Sequence, residues 1–185
     1  IDPRYVFFLH WSWKVPDDLV SGFECVCFHM TDVPYGRGGS PLQNLILRGH
    51  HDTKISALRM TPEFDAGPVY CKEPMTLEGG AEEIYIRAGE IAAGMIARII
   101  RERMKPVPQT GEAVIFTRRK PEQSNVAQLQ SLSQIYDYIR MLDAEEYPRA
   151  FLEAGAFRFE FSKAVHHTDH VVAQVTITPA RRDKE

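Results

Sequence analysis

Two short, almost unbroken apolar and aromatic runs, residues 5–10 (YVFFLH) and 24–30 (ECVCFHM), constrain this chain most. Each has strand length. A strand with little polar alternation is one covered on both faces. Helical signals lie between such runs. Pro16 opens a short helix that Gly22 closes, and Ser40 caps another that has Pro41 at its first position and ends at Gly49. Residues 81–104 carry Ile84, Ala88, Ile91, Met95 and Ile99 at helical spacing, with charges on the opposite face. Residues 54–60 and 69–75 read as strands around the turn TPEFDAGP, and 111–119 as a further strand after the linker 105–111. Strands alternating with helices predict an α/β fold with a mainly parallel sheet flanked by helices.

From Lys120 the texture turns polar, which places a boundary near Gln123 and divides the chain into 1–122 and 123–185. Ser131 and Gln134 form a capping box for a helix over 132–142. Pro148 is expected to open a short helix over 148–155. Residues 157–164 and 170–177 alternate as a two-stranded hairpin, and 180–185 read as a frayed tail. The second part is thus a small α+β subdomain. The segment 31–40 (TDVPYGRGGS) stands apart: Pro34, Gly36, Gly38 and Gly39 exclude a helix or strand interior.

Composition narrows the function classes. A chain of 185 residues can bury a core without disulfides or metal. A net charge of −3 argues against a nucleic-acid surface and against an anionic membrane. No stretch approaches the roughly 20 apolar residues of a membrane span. Cys25, Cys27 and Cys71 have no metal-ligand spacing, and Cys25 and Cys27 share one side of a strand. Free thiols of this kind suit the cytoplasm. His166, His167 and His170 beside Asp169 read as a solvated turn, so no metal site is expected.

Sites in such sheets form where strands run into loops. His29 ends one strand and Asp65 lies in the loop after another, 36 residues on. An imidazole there can donate to a developing oxyanion or carry a proton, and a carboxylate can orient it. Glycines at 36, 38 and 39 let backbone approach a ligand. Taken alone, the pair reads at least as well as a core histidine and a turn cap.

The segments FHMTDVPYGRGGSPLQNLI and RMTPEFDAGPVYCKEPM resemble the folate-dependent formyltransferases. The likeness to their Asn-x-His-Pro-Ser…Pro…Arg-Gly…Pro motif runs through His29, Thr31, Pro34, Arg37, Gly38 and Pro41. Asp65-Ala66-Gly67 is similar to their Asp-x-Gly motif, and KPVPQTGEAVIF to their Pro-Gln-x-Gly segment. The resemblance extends to IYDYIRMLDAEEYPRAF, over residues 4–152 in all. It implies a partial Rossmann-like core and transfer of a formyl group from 10-formyltetrahydrofolate to an amine. It implies His29 as oxyanion stabiliser and Asp65 as its orienting partner. Thr61, Glu63, Phe64 and Asp65, with His10, Trp11 and Trp13, would hold the pterin. Thr31, Tyr35, Arg37, Gly38 and Asn44 would meet the acceptor.

Two departures stand out. Cys27 occupies the position of the family's asparagine, and a thiol is a weak donor. Thr31 or Asn44 is the expected replacement. The family's first strands are also lacking, so Ile1 is read as lying mid-sheet in a longer parent, with dimerisation or an ordered partner at the open edge. The acceptor favoured by charge is an amino sugar, nucleotide-linked and used in surface glycan synthesis. Methionyl-tRNA ranks below it, and a non-catalytic folate- or sugar-binding relative is the alternative from another class.

Overall fold

The structure is a computed structural model that describes residues 3–145 and 147–180. It divides into two compact units, Ile1–Glu78 with Ile84–Arg118, and Gly79–Glu83 with Arg119–Glu185. The expectations for Ile1 and for most of the tail (181–185) lie outside the described residues.

The first unit is built on β1 (Tyr5–Phe8), α1 (Asp17–Gly22), β2 (Glu24–His29), β3 (Tyr35–Gly38), α2 (Pro41–Leu47), β4 (Asp52–Arg59), β5 (Val69–Thr76), most of α3 (Ala81–Glu102) and β6 (Val114–Phe116). The main sheet has the order β1-β2-β4-β5. The α/β class stands. The mainly parallel sheet is corrected: β1 and β2 are parallel, but β2 with β4 and β4 with β5 are antiparallel. Apolar continuity reports that both faces are covered, not which way a strand runs. The link from Arg59 to Val69 is too short for a parallel crossover, which takes a dozen or more residues.

Register decides what faces what. Glu24, Val26 and Phe28 share one face of β2, and Cys25, Cys27 and His29 the other. Across the sheet, Phe28 lies opposite Ala57 and His29 opposite Ser56. The stripe predicted on α3 is buried at Ile84, Ala88, Met95 and Ile99, joined by Ala81 and Ala92. Arg98 of α3 pairs with Glu73 of β5 at 2.6 Å, on the Phe28 side of the sheet. The opposite side is left for the loops.

The segment 31–40 does contain a strand, which corrects its exclusion. β3 pairs in parallel with β6, but with a register shift between Tyr35 and Arg37. It tolerates glycine because Gly36 and Gly38 take φ of +77° and +103°. At Gly38 a Cβ would run into the carbonyl oxygen of Phe116. Asp32 anchors the start of this segment through Lys54 (2.8 Å) and Lys72 (2.5 Å). Burial alone would push the Asp32 carboxyl up, but the two lysine bonds outweigh it and hold it below the usual range.

The second unit contains α4 (Leu132–Arg140), β7 (Ala150–Ala154), β8 (Phe157–His166) and β9 (Val171–Pro179). The Ser131 hydroxyl accepts from the Gln134 N–H at 3.2 Å, and the Gln134 side chain accepts in return from the Gln130 N–H at 3.0 Å. Ser131→Ala should therefore cost this unit about 1 kcal/mol, read as a lowered urea midpoint. The helix expected after Pro148 is a strand, and the two-stranded hairpin is a three-stranded sheet in the order β7-β8-β9. Ala150, Leu152 and Ala154 lie opposite Phe161, Phe159 and Phe157. Phe151 takes a backbone bond from Val126 at 2.8 Å. That non-local pairing overrides the weak helical preference of PRAFLEAG.

Candidate active site

His29 ends β2, on the loop side of the sheet, with its side chain about 10% exposed. Its Nε2 lies 2.7 Å from the carbonyl oxygen of Gly36, and Nδ1 lies 3.5 Å from Asp65 Oδ1. A carbonyl only accepts, so Nε2 carries a proton. In the imidazolium, which carries a proton on each nitrogen, the first contact is a hydrogen bond and the second an ion-pair contact.

Asp65 holds a left-handed backbone at φ +53°, unusual for a residue with a side chain. That turn follows from the local chemistry. Thr61 donates its hydroxyl to the Glu63 carbonyl at 3.0 Å, and a Cβ on Gly67 would overlap the carbonyl oxygen of Arg59. The second carboxylate oxygen of Asp65 accepts from the Gly38 N–H at 2.9 Å. One carboxylate thus joins the imidazole of β2 to the backbone of β3.

Arg37 is largely buried, with Nη1 3.8 Å from the carboxylate of the exposed Glu63. It donates through Nε (3.1 Å) and Nη2 (2.9 Å) to Gln109 Oε1. Gln109 was not among the residues singled out from the sequence. The only signal for it was its place in a Pro-Gln-x-Gly segment.

The two expected replacement donors are committed elsewhere. Thr31 is fully buried and gives its hydroxyl to the Gly36 carbonyl at 3.2 Å. Asn44 directs its amide at the carbonyls of Gly39, Ser40 and Thr117, all within 3.1 Å, so it ties α2 to β3 and the end of β6. Tyr35 also stands apart, with its hydroxyl 3.0 Å from His50 Nε2 and its ring edge-on to Phe116.

The aromatic residues separate. Phe8 lies beside Cys27 in the parallel register and meets Trp11 edge-on at 5.7 Å, which brings Trp11 to the His29 side. Trp11 and Phe64 are exposed, and Trp13 more so at 77%. His10 goes the other way. Its ring packs edge-on against Tyr85 of α3 and lines a crevice with Phe28, Met30 and Ile55. That crevice is on the opposite face from His29. Burial there lowers the His10 pKa, a backbone bond at Tyr85 opposing it in part.

Cys27 shares the face of His29, two residues before it. Burial, and then the charge of Asp65, push its thiol up to about 12. Burial also pushes up Cys25 and Cys71, in the latter against the pull of Arg98. The thiolate is the reactive form, and at pH 8 its fraction at Cys27 is of order 10⁻⁴. Iodoacetamide at pH 8 should leave Cys27 unmodified in the native protein and label it within minutes in denaturant. Intact-mass spectrometry checks this, and rapid native labelling would contradict the protonated thiol.

The chemistry of the cluster is that of a positioned imidazole with an orienting carboxylate at a loop mouth. Among the described residues, no cluster of three or more His, Cys, Asp or Glu could hold a metal ion, and no helix is long and apolar enough to cross a membrane.

Comparison with known proteins finds relatives among the formyltransferases. The family described as methionyl-tRNA formyltransferase, C-terminal domain, matches residues 121–178. A solved methionyl-tRNA formyltransferase from Clostridium thermocellum is 49% identical over 96% of this chain and 79% of that one, with a TM-score of 0.94. A curated methionyl-tRNA formyltransferase from Gluconobacter oxydans is 31% identical over 51% of this chain and 32% of its own length. A sugar N-formyltransferase from a Shewanella species, at 15% identity and a TM-score of 0.69 over 90% of this chain and 71% of that one, shows the shared fold alone. The chain spans about a third to a half of the length of the curated relatives it matches.

Proposed function

Since the chain belongs to the formyltransferase family, we propose that it serves in formyl transfer from 10-formyltetrahydrofolate to a primary amine. The observation that carries this reading is the single carboxylate of Asp65 shared between His29 Nδ1 and the Gly38 N–H. His29 stabilises the negative charge that develops on the formyl oxygen, its Nε2–H turning to that oxygen from the Gly36 carbonyl it meets in this structure. Asp65 orients the imidazole and receives the proton the attacking amine gives up; as the donor's formyl C–N bond breaks, that proton passes to the leaving nitrogen. The exposed rings of Phe64 and Trp11 suit a flat heteroaromatic donor, with Thr61 and Glu63 shaping the turn beneath it. When bound, that donor supplies the one-carbon unit, and the protein supplies position and charge.

The acceptor favoured by the comparisons is methionyl-tRNA, which reverses the ranking drawn from charge. The amino sugar remains the second reading. It is favoured by the net charge of −3, since phosphate contacts call for a basic surface. The test supplies 10-formyltetrahydrofolate with charged initiator tRNA or with a panel of amino sugars, and follows formyl incorporation by mass. Transfer to methionyl-tRNA alone supports the first acceptor, and transfer to a sugar amine alone the second. Donor binding with no transfer to any amine overturns catalysis and leaves a folate-binding relative.

Among the described residues β1 is an end strand of its sheet, and we propose that its outer edge pairs with a further ordered strand or with a second copy. Light scattering that reports only monomer at high concentration would refute the second copy.

A further inference from the structure

Gln109 lies between α3 and β6, in the same compact unit as His29 and Asp65. Its side-chain amide is fully used. Nε2 donates to the carbonyl oxygens of Asp65 and Gly67, both at 2.8 Å. Oε1 accepts from Arg37 Nε and Nη2 at 3.1 and 2.9 Å. An amide has two hydrogens and two lone pairs, so this is its whole capacity.

The four bonds fall on the two segments that make the site, the Asp65 turn and β3. Two bracket the turn in which Asp65 adopts its left-handed backbone. Such a conformation persists only when its surroundings over-determine it. The other two hold the guanidinium of the residue next to Gly38, whose N–H is the second partner of the Asp65 carboxylate. Releasing Gln109 therefore frees both ends of the Asp65–Gly38 contact, which holds the carboxylate that faces His29.

We infer that Gln109 is a positioning residue for formyl transfer, clamping the Asp65 turn to Arg37 without touching a reacting atom. The inference rests on the reading of the reaction given above. It also says why an amide is needed. A carboxylate keeps the bond to Arg37 but sets an acceptor against two carbonyl oxygens. A thioether of similar length forfeits all four bonds.

The test compares Gln109→Glu and Gln109→Met with the unchanged chain, the fold of each checked by circular dichroism. Both variants should lose about 10- to 100-fold in kcat, as expected for a reacting group misplaced by about 1 Å, with KM for the folate donor moved less than threefold. The His29 Nδ1 resonance should shift in both, since its Asp65 partner moves. If Gln109→Glu matches the unchanged chain and only Gln109→Met is impaired, anchoring of Arg37 alone matters and the clamp is overturned. Loss of the fold in both variants would assign Gln109 to stability and overturn it equally. If the full-length parent protein transfers no formyl group, the reaction reading fails on its own. The imidazole spectrum then still decides the clamp: a shift in both variants supports it, and an unmoved resonance refutes it.

Discussion

Replacing His29 with alanine should lower kcat/KM for formyl transfer by at least about a hundredfold, with the fold intact. The ring is held from both sides, by Gly36 and by Asp65, so little else in the cluster can take its place. The donors best placed in the sequence to compensate at this position, Thr31 and Asn44, already serve backbone carbonyls. Cys27→Ala is the informative companion. A protonated, weakly donating thiol contributes little to an oxyanion, so its removal should cost less than about tenfold, or roughly 1.4 kcal/mol of barrier. Initial rates of formyl incorporation measure both. A Cys27→Ala loss equal to that of His29→Ala would make the thiol itself essential and overturn the assignment.

Gly38→Ala should damage the site while leaving every candidate site side chain in place. The residue sits at φ +103°, where a side chain is strained, and its Cβ would meet the Phe116 carbonyl of the neighbouring strand. Backbone strain of this kind costs about 1–3 kcal/mol before the overlap is counted. Relief requires β3 to move from β6, and the N–H that Asp65 accepts moves with it. Both stability and turnover should therefore fall, with a lowered denaturant midpoint and a loss in kcat of about tenfold or more. Gly22→Ala is the control, since a Cβ there meets nothing within 4 Å. A Gly38→Ala variant with unchanged midpoint and rate would show that the close approach of β3 and β6 is not what holds the site.

The candidate site was legible where chemistry needs a particular residue at a particular spacing. His29 at a strand end, Asp65 before a glycine and the glycines of 31–40 stand out in a sequence because few other residues can do what they do. Gln109 did not stand out. Glutamine is common in loops, and its four bonds appear only when segments 42 to 72 positions apart come together. His10 and Trp11 are neighbours in the chain, yet the turn between them, with His10 at φ +49°, sends them to opposite sides of the sheet.

The α/β class, the buried stripe of α3, the Ser131 cap and the placing of His29 and Asp65 at strand-to-loop junctions follow from the residues alone. Each is a local property, written in periodicity, capping or turn chemistry. Tertiary structure alone decided strand direction, because burial on both faces is the same for either polarity. It decided that residues 150–154 are a strand, because pairing with β8 outweighs a propensity of a few tenths of a kcal/mol per residue. It also decided which polar groups remain available for chemistry. A side chain's donors are spent on whichever carbonyls folding brings within about 3 Å, and no spacing along the chain records that distance.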